Sequence, residues 1–202
     1  RYLRIAAKQI GALVGRTLAA HMQPRGWKTR DTGLCAVTYE ALPTAKERRD
    51  GAIEAVEAAG IPAGQVYKAP MSKPDLEQAT NATLNLLTQH PETKHWLICG
   101  MNDPVVMGAV RAMEQRGFTK DNVIGVGIDG DQVAIDELNR AVVTGFYGTV
   151  LLSARKHGSD TVEMMYQWIK NGKAPPLDTR TTGVVITRAN YHQVLKEQGV
   201  SE

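Results

Sequence analysis

Four side chains in this sequence are of the types that grip hydroxyl groups: Thr44, Arg48, Asn102 and Asp129. Thr44 and Arg48 stand at i and i+4 where the segment "PTAKERRDGAIEAVEAAG" begins, so on a helix both share one face and can point to one spot. Asn102 follows the apolar run Trp96–Cys99, and Asp129 follows "NVIGVGI". Together they supply charged donors, a hydroxyl, an amide that donates and accepts, and a charged acceptor. That inventory suits a molecule covered in hydroxyls, because each hydroxyl both donates and accepts. The charge-assisted bonds to Arg48 and Asp129 would carry much of its affinity. Each residue also has a plainer reading. Asn102 reads as a helix N-cap, Asp129 before Gly130 as a turn residue, and Arg48 as a solvated helix residue.

Elements of regular structure must bring these residues together. Ile10, Leu13, Val14, Leu18 and Met22 repeat at helical spacing within 5–23, and the pattern stops before Pro24 and Gly26. "TGLCAVTY" is a short continuous apolar run, so a strand. The helix of 43–60 puts Ala45, Ala52, Ile53 and Val56 on one face and stops at Gly60. "QVYKA" is a brief strand, and "PDLEQATNATLNLLTQ" a helix with Leu76, Ala79, Ala82, Leu86 and Leu87 near one face. Strand 95–99, helix 103–116, strand "NVIGVGI", helix 131–139 and strand "VTGFYG" follow. Strands alternating with helices of this length predict an α/β fold, a mainly parallel sheet covered on both faces. Right-handed crossovers make it doubly wound. In such a sheet ligands bind outside the carboxyl ends of the strands, where Thr38, Tyr39, Glu40, Thr44, Arg48, Asn102, Asp103, Asp129 and Asp131 all fall. Beyond this unit lie an amphipathic helix, "LLSARKHGSDTVEMMYQWIKNG", a Pro-rich stretch, a strand "GVVITR" and a last helix from Ala189.

Composition excludes several classes. The 202 residues are 43% hydrophobic and 22% charged, enough for a sizeable core. No apolar run approaches the roughly 18–20 residues of a membrane span, so no direct membrane insertion is expected. The net charge of +3 is small and spread along the chain, without the basic stripe a nucleic-acid partner favours. The run Lys46–Arg49 is short and answered by Glu47 and Asp50. Cys35 and Cys99 lie in apolar strands and read as core thiols, with a disulfide or a reactive thiol as the alternative; neither has metal-site spacing. Gly125, Gly127 and Gly130 spell G-x-G-x-x-G, but the first two fall inside the strand rather than in a turn, and position 150 is Val. An Asp129 carboxylate would also repel a pyrophosphate. The five histidines share no sheet edge, and G-x-S-x-G, H-E-x-x-H and C-x-x-C are absent from the sequence, so no catalysis is called for. The chain starts at Arg1 without an apolar leader and reads as a processed or truncated product.

"LPTAKERRDGAIEA", "HPETKHWLICGMND", "GFTKDNVIGVGIDG" and "VTGFYGTVLL" resemble the periplasmic sugar receptors of the arabinose-binding type, the substrate-capturing components of ABC sugar importers. The likeness runs over essentially the whole chain but reaches only the later part of the family's length. It implies the type I periplasmic-binding-protein fold: two doubly wound α/β lobes, joined by three crossing strands, that close on one sugar. By that template the crossings lie near Arg1–Ile5, Tyr147–Leu151 and Thr181–Val185. Residues 6–150 and 185–202 form the second, sugar-binding lobe, and 152–181 are a remnant of the first. Family sugar contacts match Thr44, Arg48 and Asn102, and an apolar wall position matches Leu42. Ile5 falls where the family has a Met lining the site. Asp129 stands where arabinose-binding members carry Asn and ribose and glucose/galactose receptors carry Asp, which leaves the preferred sugar open. The resemblance further implies a periplasmic location, a monosaccharide ligand, an ABC permease as partner, no cofactor, no metal and no nucleic acid. The effector-binding domain of a lactose-repressor-type regulator shares the fold and is the alternative, with an enzyme on the same sheet a third.

Overall fold

Residues alternate between the two faces of each apolar run, and that alternation builds the layers. In strand β2 (Thr32–Thr38), Leu34 and Ala36 join one core and Cys35 and Val37 the other. Leu97 and Cys99 oppose Trp96 and Ile98 in the same way in β4 (His95–Cys99). Strand β5 (Val123–Asp129) sends Ile124, Val126 and Ile128 to the first core. All seven residues of β2 are buried, as expected for a strand covered on both sides. Each fully buried Leu, Ile or Trp contributes roughly 1.5–3 kcal/mol before entropy is counted.

The computed structural model describes residues 2–199; Arg1 and residues 200–202, which the sequence reading places in the first crossing and the second lobe, lie outside the described residues. The large sheet has six strands in the order β3-β2-β4-β5-β6-β8. Here β3 is Val66–Pro70, β6 is Phe146–Leu151 and β8 is Val184–Thr187. All its neighbours pair in parallel except β6 and β8, which are antiparallel. Helices α1 (Ala7–Met22) and α2 (Pro43–Ala58) cover one face through Ile10, Val14, Leu18, Ala52 and Val56. Helices α3 (Leu76–Gln89) and α4 (Asp103–Gln115) cover the other through Ala79, Leu86, Val106, Val110 and Met113. That core continues under α5 (Gln132–Asn139) and, after β8, under α7 (Tyr191–Glu197). The expected doubly wound α/β unit is therefore present. From β2 the chain runs outward to β3 and then doubles back past β2 to β4. Its topological switch point, the place where a crevice opens, lies between the carboxyl ends of β2 and β4.

A second, two-stranded sheet pairs β1 (Tyr2–Ile5) in parallel with β7 (Asp178–Thr181). Helix α6 (Ala154–Asn171) packs beside it, with Leu3, Thr161, Met164, Met165 and Pro175 lining a small cavity of about 80 Å³ between them. Val162, Met165, Tyr166, Trp168 and Ile169 on this helix are exposed. The chain passes between the two sheets after Ile5, after Leu151 and after Thr181.

Two local expectations are corrected. The strand read at 143–148 begins only at Phe146, because the Thr144 hydroxyl is drawn aside to the buried Glu137 carboxylate at 2.5 Å. Leu76, expected on the buried face of its helix, is exposed; it opens α3 directly after the Asp75 cap, short of the turns that reach the sheet. Cys35 and Cys99 are buried and free, in cores on opposite sides of the sheet, and burial pushes both thiols up to about 12.

Candidate functional site

Helix α2 starts with Pro43 at its first turn, where a missing N–H costs nothing and the fixed φ suits the helix, and Thr44 and Arg48 follow one turn apart. Of the basic run, Lys46 and Arg49 both turn to Glu40, and Arg49 also bonds Asp50 at 2.7 Å. Glu40, rather than the Glu47 suggested by sequence proximity, therefore joins Asp50 in balancing them. Arg48 points the other way, into the crevice. Its Nη1 donates to the carbonyl of Met101 at 2.5 Å and lies 3.4 Å from Asp129 Oδ1. One side chain from the helix after β2 thus spans the end of β4 and reaches the end of β5. These three strands are adjacent in the sheet, which is why residues far apart in sequence converge.

The Arg48 side chain is 12% exposed and that of Asp129 39%, so the pair sits at a wall partly open to solvent. Arg48 Nε is buried without a hydrogen-bond partner among the described residues, a donor left over in the crevice. Burial pushes the Asp129 carboxyl above its usual value, against the pull of Arg48, and Asp131 adds to the rise. Asn102, next to Met101, caps α4: its Oδ1 accepts from the Val105 N–H at 3.3 Å. The plain reading of Asn102 as an N-cap is correct, and it leaves the Nδ2 donor uncommitted. Both roles fit one side chain, because the cap uses only the carbonyl oxygen.

The remaining candidates are more peripheral. Thr44 lies one helical turn before Arg48 with its side chain exposed. Leu42 precedes α2 and Ile5 ends β1; both are exposed and offer apolar surface rather than hydrogen bonds. Asp129 is also more than a turn residue. It has φ of 109°, the only positive value among described non-glycine residues, a conformation that costs on the order of 1–3 kcal/mol and persists only where the surroundings impose it.

The group nearest that strain is a strand-end residue to which the sequence assigned no role. Asp103, the first residue of α4, is fully buried, and its Oδ2 accepts from the N–H groups of Gly130 at 2.7 Å and Asp131 at 3.0 Å. The G-x-G of β5 serves this contact. A Cβ on Gly127 would lie 2.0 Å from Asp103 Oδ1, and one on Gly125 3.1 Å from Val106 and Val110. The glycines therefore make room for α4 rather than for a phosphate. An acidic residue opening a helix, opposite a strand with alternate glycines, is the signal that could have revealed it. Burial pushes the Asp103 carboxyl up to about 7, opposed by the nearby Thr149 hydroxyl and the two N–H donors. The other buried carboxylate, Glu137, is fully answered instead. Although burial pushes it up, Thr144, Arg111 and Arg140 hold it below its usual value.

This arrangement can hold a polar neutral molecule by hydrogen bonds. No group of three His, Cys, Asp or Glu among the described residues could hold a metal ion. Residues 2–194 match the family described as periplasmic binding proteins and sugar binding domain of the LacI family. The chain belongs to that family. It is 43% identical over 197 residues to the L-arabinose-binding periplasmic protein of Escherichia coli K12, a match covering 97% of this chain and 60% of that protein. It is 40% identical over 199 residues to the ABC transporter L-arabinose-binding periplasmic protein of Azospirillum brasilense, covering 98% and 60%. A periplasmic ribose ABC transporter structure from Conexibacter woesei superposes with a TM-score of 0.76 at 19% identity, over 95% of this chain and 63% of that one. The chain thus spans about 60% of the length of the curated relatives it matches. Arg48 reaches from the β2 side of the switch point across the end of β4 to Asp129 at the end of β5.

Proposed function

We propose that this chain is the ligand-gripping lobe of a periplasmic receptor that binds a monosaccharide, L-arabinose or a similar aldose, and delivers it to an ABC importer. The observation that carries this reading is the span of Arg48 across three neighbouring strand ends to Asp129, with the Asn102 amide beside it. The two opposite charges balance, so the wall favours a neutral polyol over an acid or a phosphate. Thr44, Arg48, Asn102 and Asp129 would meet its hydroxyls, and Leu42 and Ile5 would pack against its C–H faces. Residues 6–150 with 185–202 would form this lobe, and 152–181 would belong with a partner lobe completing the cleft. No described helix is long and apolar enough to cross a membrane.

Binding without chemistry is part of the proposal, since the crevice offers hydrogen-bonding groups and, among the described residues, no nucleophile beside a base. The test expresses the protein from its complete reading frame and incubates it with radiolabelled L-arabinose, D-galactose, D-ribose and D-xylose. Saturable retention of one of these, recovered unchanged, supports the receptor. Retention of none, or conversion of the sugar at enzymatic rates, overturns it. The family also includes sugar-sensing domains of regulators; both relatives quoted above are periplasmic, which favours the receptor.

A further inference from the structure

Asp129 occupies a positive-φ conformation, which is costly for a non-glycine residue and persists only where the surroundings impose it. The turn that follows β5 is pinned on both sides. The Asp129 carbonyl accepts from the Leu152 N–H at 3.1 Å, and the next two N–H groups, of Gly130 and Asp131, both donate to Asp103 Oδ2. Asp103 is itself fully buried and fixed at the start of α4, a helix packed into the core along most of its length. Its second oxygen, Oδ1, is buried near the Thr149 hydroxyl, which opposes the rise of the carboxyl without reaching hydrogen-bond geometry. A carboxyl kept in so costly a place for two backbone bonds is there for what those bonds fix.

We propose that Asp103 is a positioning residue, which holds Asp129 in its strained conformation and thereby aims the Asp129 carboxylate at Arg48 and the ligand. The proposal rests on the reading of this crevice as a sugar site. Asp103 touches no ligand; it acts through the turn 129–131. Removing it lets Asp129 relax toward ordinary backbone angles, which carries its carboxylate away from the crevice while the sheet stays intact.

The test uses the protein from its complete reading frame and two readouts. The first is amide hydrogen exchange in the absence of sugar. Asp103→Ala should speed exchange at Gly130 and Asp131 by about tenfold or more, the expected loss of a local bonded unit, with β4 amides unchanged. Asp103→Asn, whose amide oxygen can still accept both bonds, should restore protection. Asp103→Ser, too short to reach both, serves if the alanine variant does not fold. The second readout is the affinity for L-arabinose in a cycle with Asp129→Ala. Loss of Asp103 should weaken binding by about tenfold when Asp129 is present and by less than about twofold when it is absent. Unchanged protection at Gly130 and Asp131, or equal affinity losses in both backgrounds, overturns the proposal. If the unsubstituted protein binds no sugar, the receptor reading falls and the exchange data alone decide the clamp.

Discussion

Replacing Arg48 by Met keeps the aliphatic stem against α2 and removes only the guanidinium. The structure sets the size of both consequences. For stability, the Met101 carbonyl loses a 2.5 Å bond, worth about 1 kcal/mol net. The ion pair with Asp129, at 3.4 Å and with Asp129 39% exposed, adds roughly 0–1 kcal/mol after solvent screening. A stability loss of about 1–2 kcal/mol is expected, visible in thermal unfolding but far from unfolding the chain. For binding, a charge-assisted bond to a sugar hydroxyl is worth about 1.5–3 kcal/mol, so affinity should fall about 10- to 150-fold. Losing Arg48 also removes the influence that opposes the rise of the Asp129 carboxyl, so Asp129 should take up its proton at higher pH than in the parent protein. Calorimetric titration with L-arabinose well below the melting temperature separates the two effects. An affinity within about twofold of the parent, alongside a clear stability loss, would make Arg48 a structural residue and refute the reasoning.

Further expectations follow from single contacts. Asn102→Ser retains a capping oxygen and should keep stability while weakening sugar binding, whereas Asn102→Ala should lose both, with about 0.5–2 kcal/mol of stability; equal behaviour of the two variants in calorimetry would tie Asn102 to the cap alone. Asp129→Asn turns a pure acceptor into a donor and acceptor and should change the ranking across a sugar panel more than the melting temperature. An unchanged ranking would remove Asp129 from the site. Asp103, whose carboxyl burial pushes up to about 7 with Asp131 adding to the rise, holds its proton in the folded state where the unfolded chain, near 3.8, has lost it. Its contribution to stability should therefore fall as pH rises from about 4 to about 7, by at most ~1.4 kcal/mol per unit, and the slope should vanish in Asp103→Asn. Light scattering of residues 1–202 alone should show association through the exposed Val162 (69%) and Ile169 (81%), reversed by Val162→Glu with Ile169→Glu. A monodisperse unsubstituted chain would count against that stripe as a contact surface.

The layered α/β fold was legible because buried parallel strands such as "TGLCAVTY" and "NVIGVGI" announce themselves as apolar runs between amphipathic helices. Arg48 and Asp129 were legible as residues at strand ends, and the structure joins them at 3.4 Å. Three things were hidden for physical reasons. Asp103 belongs to a helix start that reads as ordinary capping chemistry, and its partners are main-chain N–H groups that carry no sequence signal. Glu40 lies outside α2, so its capture of Arg49 and Lys46 depends on loop geometry rather than helical spacing. The start of β6 was misplaced because the Thr144 side chain, bound to Glu137, competes with extension of the strand.

The most direct measurement is a calorimetric titration of the protein, expressed from its complete reading frame, with L-arabinose, D-galactose, D-ribose and D-xylose, run in parallel on Arg48→Met. One-to-one binding of at least one aldose is expected, with an affinity about 10- to 150-fold weaker in the variant. Heat-silent titrations with all four sugars, confirmed by equilibrium dialysis, or equal affinity in both proteins, would contradict it.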